Sequence, residues 1–285
     1  ATGAATGVAI PSLGAAVPPA ITISGAVGEI SAVRVTLTGL RHAEGSDLDV
    51  LLVSPGGATT LLASDVCSGN LVTSTITFDD AALAALPSTG CTSGTFRPRN
   101  SGGSDTFSSP APAGPFGSTL AALVADGHAT PNGTWRLYVQ DDRNGSSGTL
   151  ASWSILIDTI VHVPATGSSG IASAYPWTRT VTADGGAYLR DVDVVLDGVT
   201  HHFFGEVGGV LQGPDGRATV LFAGACGNAI FSDRSLRFDD AALDPLPISN
   251  VDSCWNDPAY RPMDATGTGA PLPAPAPVGA GTDLS

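Results

Sequence analysis

Hydrophobic residues in this chain come in short alternating runs, not in long stripes. Val33, Val35 and Leu37 alternate with Arg34, Thr36 and Thr38, the period of a half-buried strand. Residues 47–53 read as a second strand, closed by the turn signal Ser54-Pro55-Gly56-Gly57. Further strands are expected at 59–62, 74–78, 135–139 and 153–157, the last placing Trp153, Ile155 and Ile157 on one face. Two segments read as helical: 81–86, behind the capping pair Asp79-Asp80, and 118–124, with Ser118 as its expected cap. Both are too short to be more than connectors. Many short strands separated by Gly/Pro turns predict an all-β fold, an antiparallel β-sandwich or jelly roll. Residues 1–20, rich in Ala, Gly and Pro, are expected to form a flexible lead-in.

The pattern is written twice. Gly39, His42, Pro55 and Gly57 return as Gly198, His201, Pro214 and Gly216, each 159 positions later. Phe78-Asp79-Asp80-Ala81-Ala82-Leu83 returns as Phe238-Asp239-Asp240-Ala241-Ala242-Leu243, and Arg97-Pro98 as Arg261-Pro262. So long a period makes each copy a domain, not a solenoid repeat. The expected organisation is a first sandwich at 21–160, a linker at 161–172 and a second domain at 173–285. The first copy carries 132-NGTWRLYV-139 and 148-GTLASW-153; nothing after Pro277 matches either. The second copy is therefore expected to lack its closing strands, and the chain reads as a piece of a longer protein. A sandwich without those strands would expose a sheet edge, so the second copy is expected to be the less stable half.

Charge narrows the function. The 285 residues hold 12 basic and 26 acidic side chains, for a net charge of −14; all the basic ones are arginine. That balance speaks against nucleic-acid binding, which needs a basic footprint. No apolar run is long enough for a membrane span. The four cysteines fall at matched places, Cys67 and Cys91 in copy one and Cys226 and Cys254 in copy two. Of three possible connectivities, pairing within each copy is favoured. A duplicated disulfide implies a secreted, extracellular protein. A zinc site is the rival reading, without the usual Cys-x-x-Cys knuckle.

Candidate chemistry lies in the aspartates. Asp47, Asp49, Asp79, Asp80, Asp141 and Asp142 are closely spaced pairs beside turn residues. Turn and cap chemistry accounts for most aspartates in such contexts. Calcium is the alternative, since it takes several oxygen ligands from separated loops. His42 and His201 recur at matched positions, and a structural role is the expectation for both. Trp135 and Trp153 are expected as core anchors. The sequence signatures of a Ser-His-Asp catalytic site are absent, so no catalytic residue is assigned.

The ordered set Gly45-Ser46-Asp47-Leu48, Val50, Leu52, Ser54-Pro55-x-Gly57, Asn132-Gly133-Thr134-Trp135, Gly148-Thr149-Leu150 and Trp153 resembles the P domain, or Homo B domain, of subtilisin-like proprotein convertases. Phe78-Asp79-Asp80-Ala81-Ala82 and Phe96-Arg97-Pro98 resemble its bacterial, secreted branch. The resemblance covers copy one nearly end to end. Copy two departs from it, with Gly208 opposite Asp49 and Gly213 opposite Ser54. It implies a non-catalytic module that stabilises or adheres within a larger secreted protein, its partners being neighbouring domains of the same polypeptide. The alternatives are the accessory region of a serine endopeptidase whose catalytic domain lies outside this chain, and a carbohydrate-binding sandwich.

Overall fold

The computed structural model describes residues 1–26, 28–103, 105–124, 131–160, 178, 191–249, 254, 258–267, 276–277 and 280–284. The expected linker at 161–172 lies outside the described residues. The chain divides into two compact units, one of Ala1–His162 with Trp177–Arg179, the other of Val163–Pro176 with Thr180–Ser285.

Unit 1 holds β1 (Thr2–Ile10), β2 (Gly14–Ala16), β3 (Ile21–Ile23), β4 (Glu29–His42), β5 (Leu48–Val53), β6 (Thr59–Ser64), β7 (Leu71–Asp79), β8 (Gly94–Phe96), β9 (Arg99–Asn100), β10 (Gly133–Asp141) and β11 (Gly148–Ile160). They form two mainly antiparallel sheets. One runs β1-β11-β4-β7-β8; the other runs β2-β10-β5-β6-β9, with β3 also on β10. The protein is all-β, and unit 1 has the two sheets of a β-sandwich. Alternation decides which side chains meet between the sheets. Val33, Val35, Leu37, Trp153, Ile155 and Ile157 share one buried cluster with Leu48, Val50, Leu52, Trp135, Leu137 and Val139. Both tryptophans are 0% exposed. Their indole N–H groups donate to Pro131 O and Pro19 O, at 3.0 and 2.9 Å, which satisfies the one polar atom each ring buries.

Three expectations are corrected. Residues 1–20 are not a loose lead-in: β1 pairs with β11 from Thr2↔Leu156 to Ile10↔Gly148, and β2 pairs with β10. Residues 81–86 form turns, not a helix, with the Ala81 N–H held by Asp79 Oδ1 at 2.9 Å. Residues 120–124 make a short 3-10 turn capped from a distance. Asp80, not Ser118, accepts from the N–H groups of Leu120 and Ala121 at 3.0 and 2.8 Å, so one carboxylate satisfies two orphan donors.

Unit 2 holds β12 (Val194–His201), β13 (Gly208–Gln212), β14 (Ala218–Ala223), β15 (Phe231–Phe238) and β16 (Met263–Asp264). β12 pairs with β15, and β13-β14-β16 form a second sheet. These strands answer β4, β5, β6, β7 and β9 of unit 1 in order. The match extends to unusual backbone angles. Gly39 and Gly198 have φ of 65° and 69°, Cys67 and Cys226 both 63°, Thr73 and Asp233 46° and 51°. The core is rebuilt with aromatics: Phe204 stacks on Phe222 and Phe231, and Phe222 on Phe238. Each unit closes one disulfide, Cys67–Cys91 and Cys226–Cys254.

Candidate functional site

Strand β5 is buried on both faces. Leu48, Val50 and Leu52 point between the sheets, while Leu51 and Val53 join Leu61 and Tyr138 under Phe107, Ala111 and Phe116. The loop carrying these last residues is pinned by Gln140, whose Oε1 accepts from Ser108 N and whose Nε2 donates to Thr106 O, both at 2.8 Å. Beside this cover lies a cleft of about 570 Å³, lined by Asp49, Asp65, Asp105, Gln140, Asp141 and Asp142 among others.

Asp49 follows from the same alternation, on the outer face of β5 where the covering loop excludes water. It is 4% exposed. Burial pushes its carboxyl up to about 7, with Asp105, Asp142 and Asp65 adding repulsion and a hydrogen bond with Ser64 opposing it. Asp142 is likewise raised, first by burial and then by Asp65, partly offset by Arg143. Asp105 is better supported, accepting from Ser64 Oγ and Asn100 Nδ2, each at 2.7 Å. A group of crowded carboxylates with few cations among them favours protonation or a bound cation.

Below the cleft, His42 and Asp141 are both fully buried and 3.1 Å apart, Nε2 to Oδ2. His42 Nδ1 lies 2.6 Å from Glu44 O. A carbonyl oxygen only accepts, so Nδ1 carries a proton and donates. Asp141 Oδ1 accepts from Arg143 N at 2.9 Å. Both nitrogens of the ring are thus engaged within the fold. Glu44 in turn organises the adjoining loop. Its carboxylate takes the Gly69 N–H and the Ser46 hydroxyl, in that order of importance, and is held below the usual carboxylate range.

The structure brings three of the six candidate calcium ligands, Asp49, Asp141 and Asp142, to the cleft. Asp47 accepts from Ser146 Oγ at 2.6 Å, with Arg143 Nε 3.9 Å away. Asp79 pairs with Arg34 Nε at 2.9 Å, and Asp80 is the distant cap described above. Among the described residues, no three His, Cys, Asp or Glu side chains are placed to hold one metal ion. Asp65 and Asp105 escape sequence reasoning because each stands alone in a loop. Asp65 did carry a signal: aligned on the cysteines, Ser64-Asp65-Val66-Cys67 faces Ala223-Gly224-Ala225-Cys226, and a glycine opposite an aspartate marks a left-handed backbone position. The two have φ of 53° and 65°. Unit 2 has Gly208 and Gly224 where unit 1 has Asp49 and Asp65, so this pair of acids belongs to unit 1 alone.

No protein-family model matches the chain, and no curated protein matches it. Among solved structures it is similar to a crystal structure of an Aeromonas sobria serine protease in complex with the chaperone. That likeness has 18% identity and a TM-score of 0.29, covering 53% of this chain and 24% of that chain. The chain thus spans about a quarter of the length of the structure it matches. No helix among the described residues is long and apolar enough to cross a membrane.

Proposed function

We propose that this chain is a non-catalytic extracellular module of the P-domain type, serving as a stabilising or adhesive unit beside neighbouring domains of a larger secreted protein. The observation that carries the reading is the fate of its most reactive-looking side chains. His42, which recurs in both copies, is 0% exposed and held between Asp141 and a backbone carbonyl, with no ring nitrogen left to take a proton from a substrate. Asp79 and Asp80 hold an arginine and a turn. One disulfide in each unit fits an oxidising compartment. A sugar platform gains no support from Trp135 or Trp153, since both are sealed in the core.

Incubation of the purified chain with a fluorogenic protein substrate and an active-site serine probe tests the reading. No turnover and no labelling are expected. Hydrolysis abolished by changing one serine would overturn it. For calcium the proposal narrows to the cleft, where Asp49 and Asp142 would act with Asp65 and Asp105, drawing closer around the ion. Calorimetric titration with calcium should release heat in the parent chain and none in Asp49→Asn. Silence in both removes calcium from the proposal and leaves the structural role standing.

A further inference from the structure

An asparagine followed by glycine is open to attack by its own backbone, because glycine has no side chain to shield the peptide nitrogen or restrict its rotation. The chain holds two such pairs, Asn132-Gly133 and Asn144-Gly145, and the fold treats them oppositely. Asn132 is half-buried and held at both ends of its amide: Oδ1 accepts from Ala26 N at 2.9 Å, and Nδ2 donates to Ala26 O at 2.6 Å. Gly133 opens β10, paired with Ile23, and a methyl group there would come within 2.6 Å of Pro55. That amide has neither the freedom nor the room to turn. Asn144 and Gly145 are both exposed, in the bend between β10 and β11, with nothing within 4 Å of a methyl group placed on Gly145. One hydroxyl bridges the pair. Ser12 Oγ accepts from Gly145 N at 2.9 Å and donates to Asn144 Oδ1 at 3.3 Å.

We propose that Asn144 is a self-modification site, at which the Gly145 nitrogen closes on the Asn144 side chain with the help of Ser12. Gly145 N bonds to Asn144 Cγ, the Cγ–Nδ2 bond breaks, and the amide nitrogen departs as ammonia, carrying the Gly145 N–H proton. The cyclic imide then takes up one water. Opening at Cγ leaves aspartate at position 144; opening at the main-chain carbonyl leaves an isoaspartyl link through Cγ. No oxidant or further reactant enters. Ser12 touches both reacting groups. Its oxygen faces the proton that the nucleophile must lose, and its hydroxyl proton faces the oxygen that gains charge as the ring closes. Holding both amides against one hydroxyl also supplies alignment that an open chain lacks. The consequence falls on the cleft, since Leu13 and Gly14 beside Ser12 line it together with Asp141 and Asp142. Either product adds a carboxylate to this acidic rim, and the isoaspartyl link lengthens the backbone between β10 and β11 by a methylene.

The intact 285-residue chain, incubated at mildly alkaline pH and mapped by peptide mass spectrometry with electron-transfer fragmentation, reads both sites at once. Asn144 should convert to a mixture of isoaspartate and aspartate about tenfold faster than Asn132, or more. In urea the two sites should convert at similar rates, because the fold and not the dipeptide makes the difference. Ser12→Ala should slow conversion at Asn144 about threefold or more, and Ser12→Thr should retain it, with the circular dichroism of all three chains alike. Persistence of Asn144 for as long as Asn132 in the folded chain would overturn the inference. So would equal or faster conversion in Ser12→Ala, which would make Ser12 a bystander or a restraint on the bend and not a participant.

Discussion

Asp49 lies on the outer face of a buried strand, where Asp105, Asp142 and Asp65 repel its charge. Its carboxyl titrates near 7 in the fold and near its ordinary value of 3.8 when unfolded. The sign follows directly. Below about pH 4 both states are protonated and the group is neutral to stability. Between about pH 4 and 7 the unfolded chain has released the proton while the folded one retains it, so stability falls as pH rises. The slope is at most about 1.4 kcal/mol per pH unit. Above about 7 both states are ionised and the cost levels off. Asp49→Asn should therefore raise the melting temperature of unit 1 at pH 8, by about 2 kcal/mol or some 4–8 °C. It should leave the melting temperature unchanged at pH 3.5. A scanning-calorimetry series across this range checks both limbs, and an equal shift at every pH would refute the assignment. Thr73 offers an independent residue-level test. A β-branched side chain at φ 46° is strained, and its counterpart in unit 2 is an aspartate. Thr73→Asn should stabilise unit 1 by about 0.5–1 kcal/mol, measured by urea unfolding.

Strands are where the sequence was most and least informative. β7, β10 and β11 contain the strands expected at 74–78, 135–139 and 153–157, and β5 falls one residue short of the expected 47–53 because Asp47 ends a 3-10 turn; a strand between solvent and core writes its alternation in large and polar residues. β1 escaped for a physical reason. Before Val8 and Ile10, its inward positions are only Gly3 and Ala5, because the strand is clamped. A methyl group at Gly3 would meet Ile21, and one at Gly7 would meet the Leu150 carbonyl at 1.7 Å. Small residues at a close approach look, in sequence alone, like a tether. Hence deletion of residues 1–10 should act like loss of an edge strand, not of a tail. It exposes the length of β11 and leaves the core side of Ile10 empty. Chemical unfolding should show a loss of more than about 3 kcal/mol; no measurable change would show that the pairing is dispensable. The cleft was half legible. Asp49 and Asp142 sit in recognisable pairs, whereas Asp65 and Asp105 arrive from separate loops, and no spacing rule brings distant loops together. The cap at Leu120 was missed likewise: its acceptor, Asp80, stands 40 residues away in the chain.

Duplication set two similar frameworks in one chain, and their described cores differ in size. Unit 1 buries 30 residues in its main cluster, and unit 2 buries 11 in its own among the described residues. Stacked phenylalanines fill unit 2 at Phe204, Phe222 and Phe231, where unit 1 has Gly45, Ala63 and Leu71. Both units have one disulfide, with sequence separations of 24 and 28, so loop closure stabilises them about equally, by roughly 3–4 kcal/mol each. The difference in stability must then come from burial and strand pairing. Two unfolding transitions are expected, with unit 2 melting first. Limited proteolysis under native conditions should cut within unit 2 and leave a resistant fragment that retains β1 through β11 and ends near Ile160. Mass spectrometry of the surviving fragments reads this directly. Equal resistance of both halves would mean that unit 2 gains its stability from contacts other than the strands that close unit 1. Reduction of both disulfides should widen the gap, because the unit with the smaller core among the described residues depends more on its covalent link.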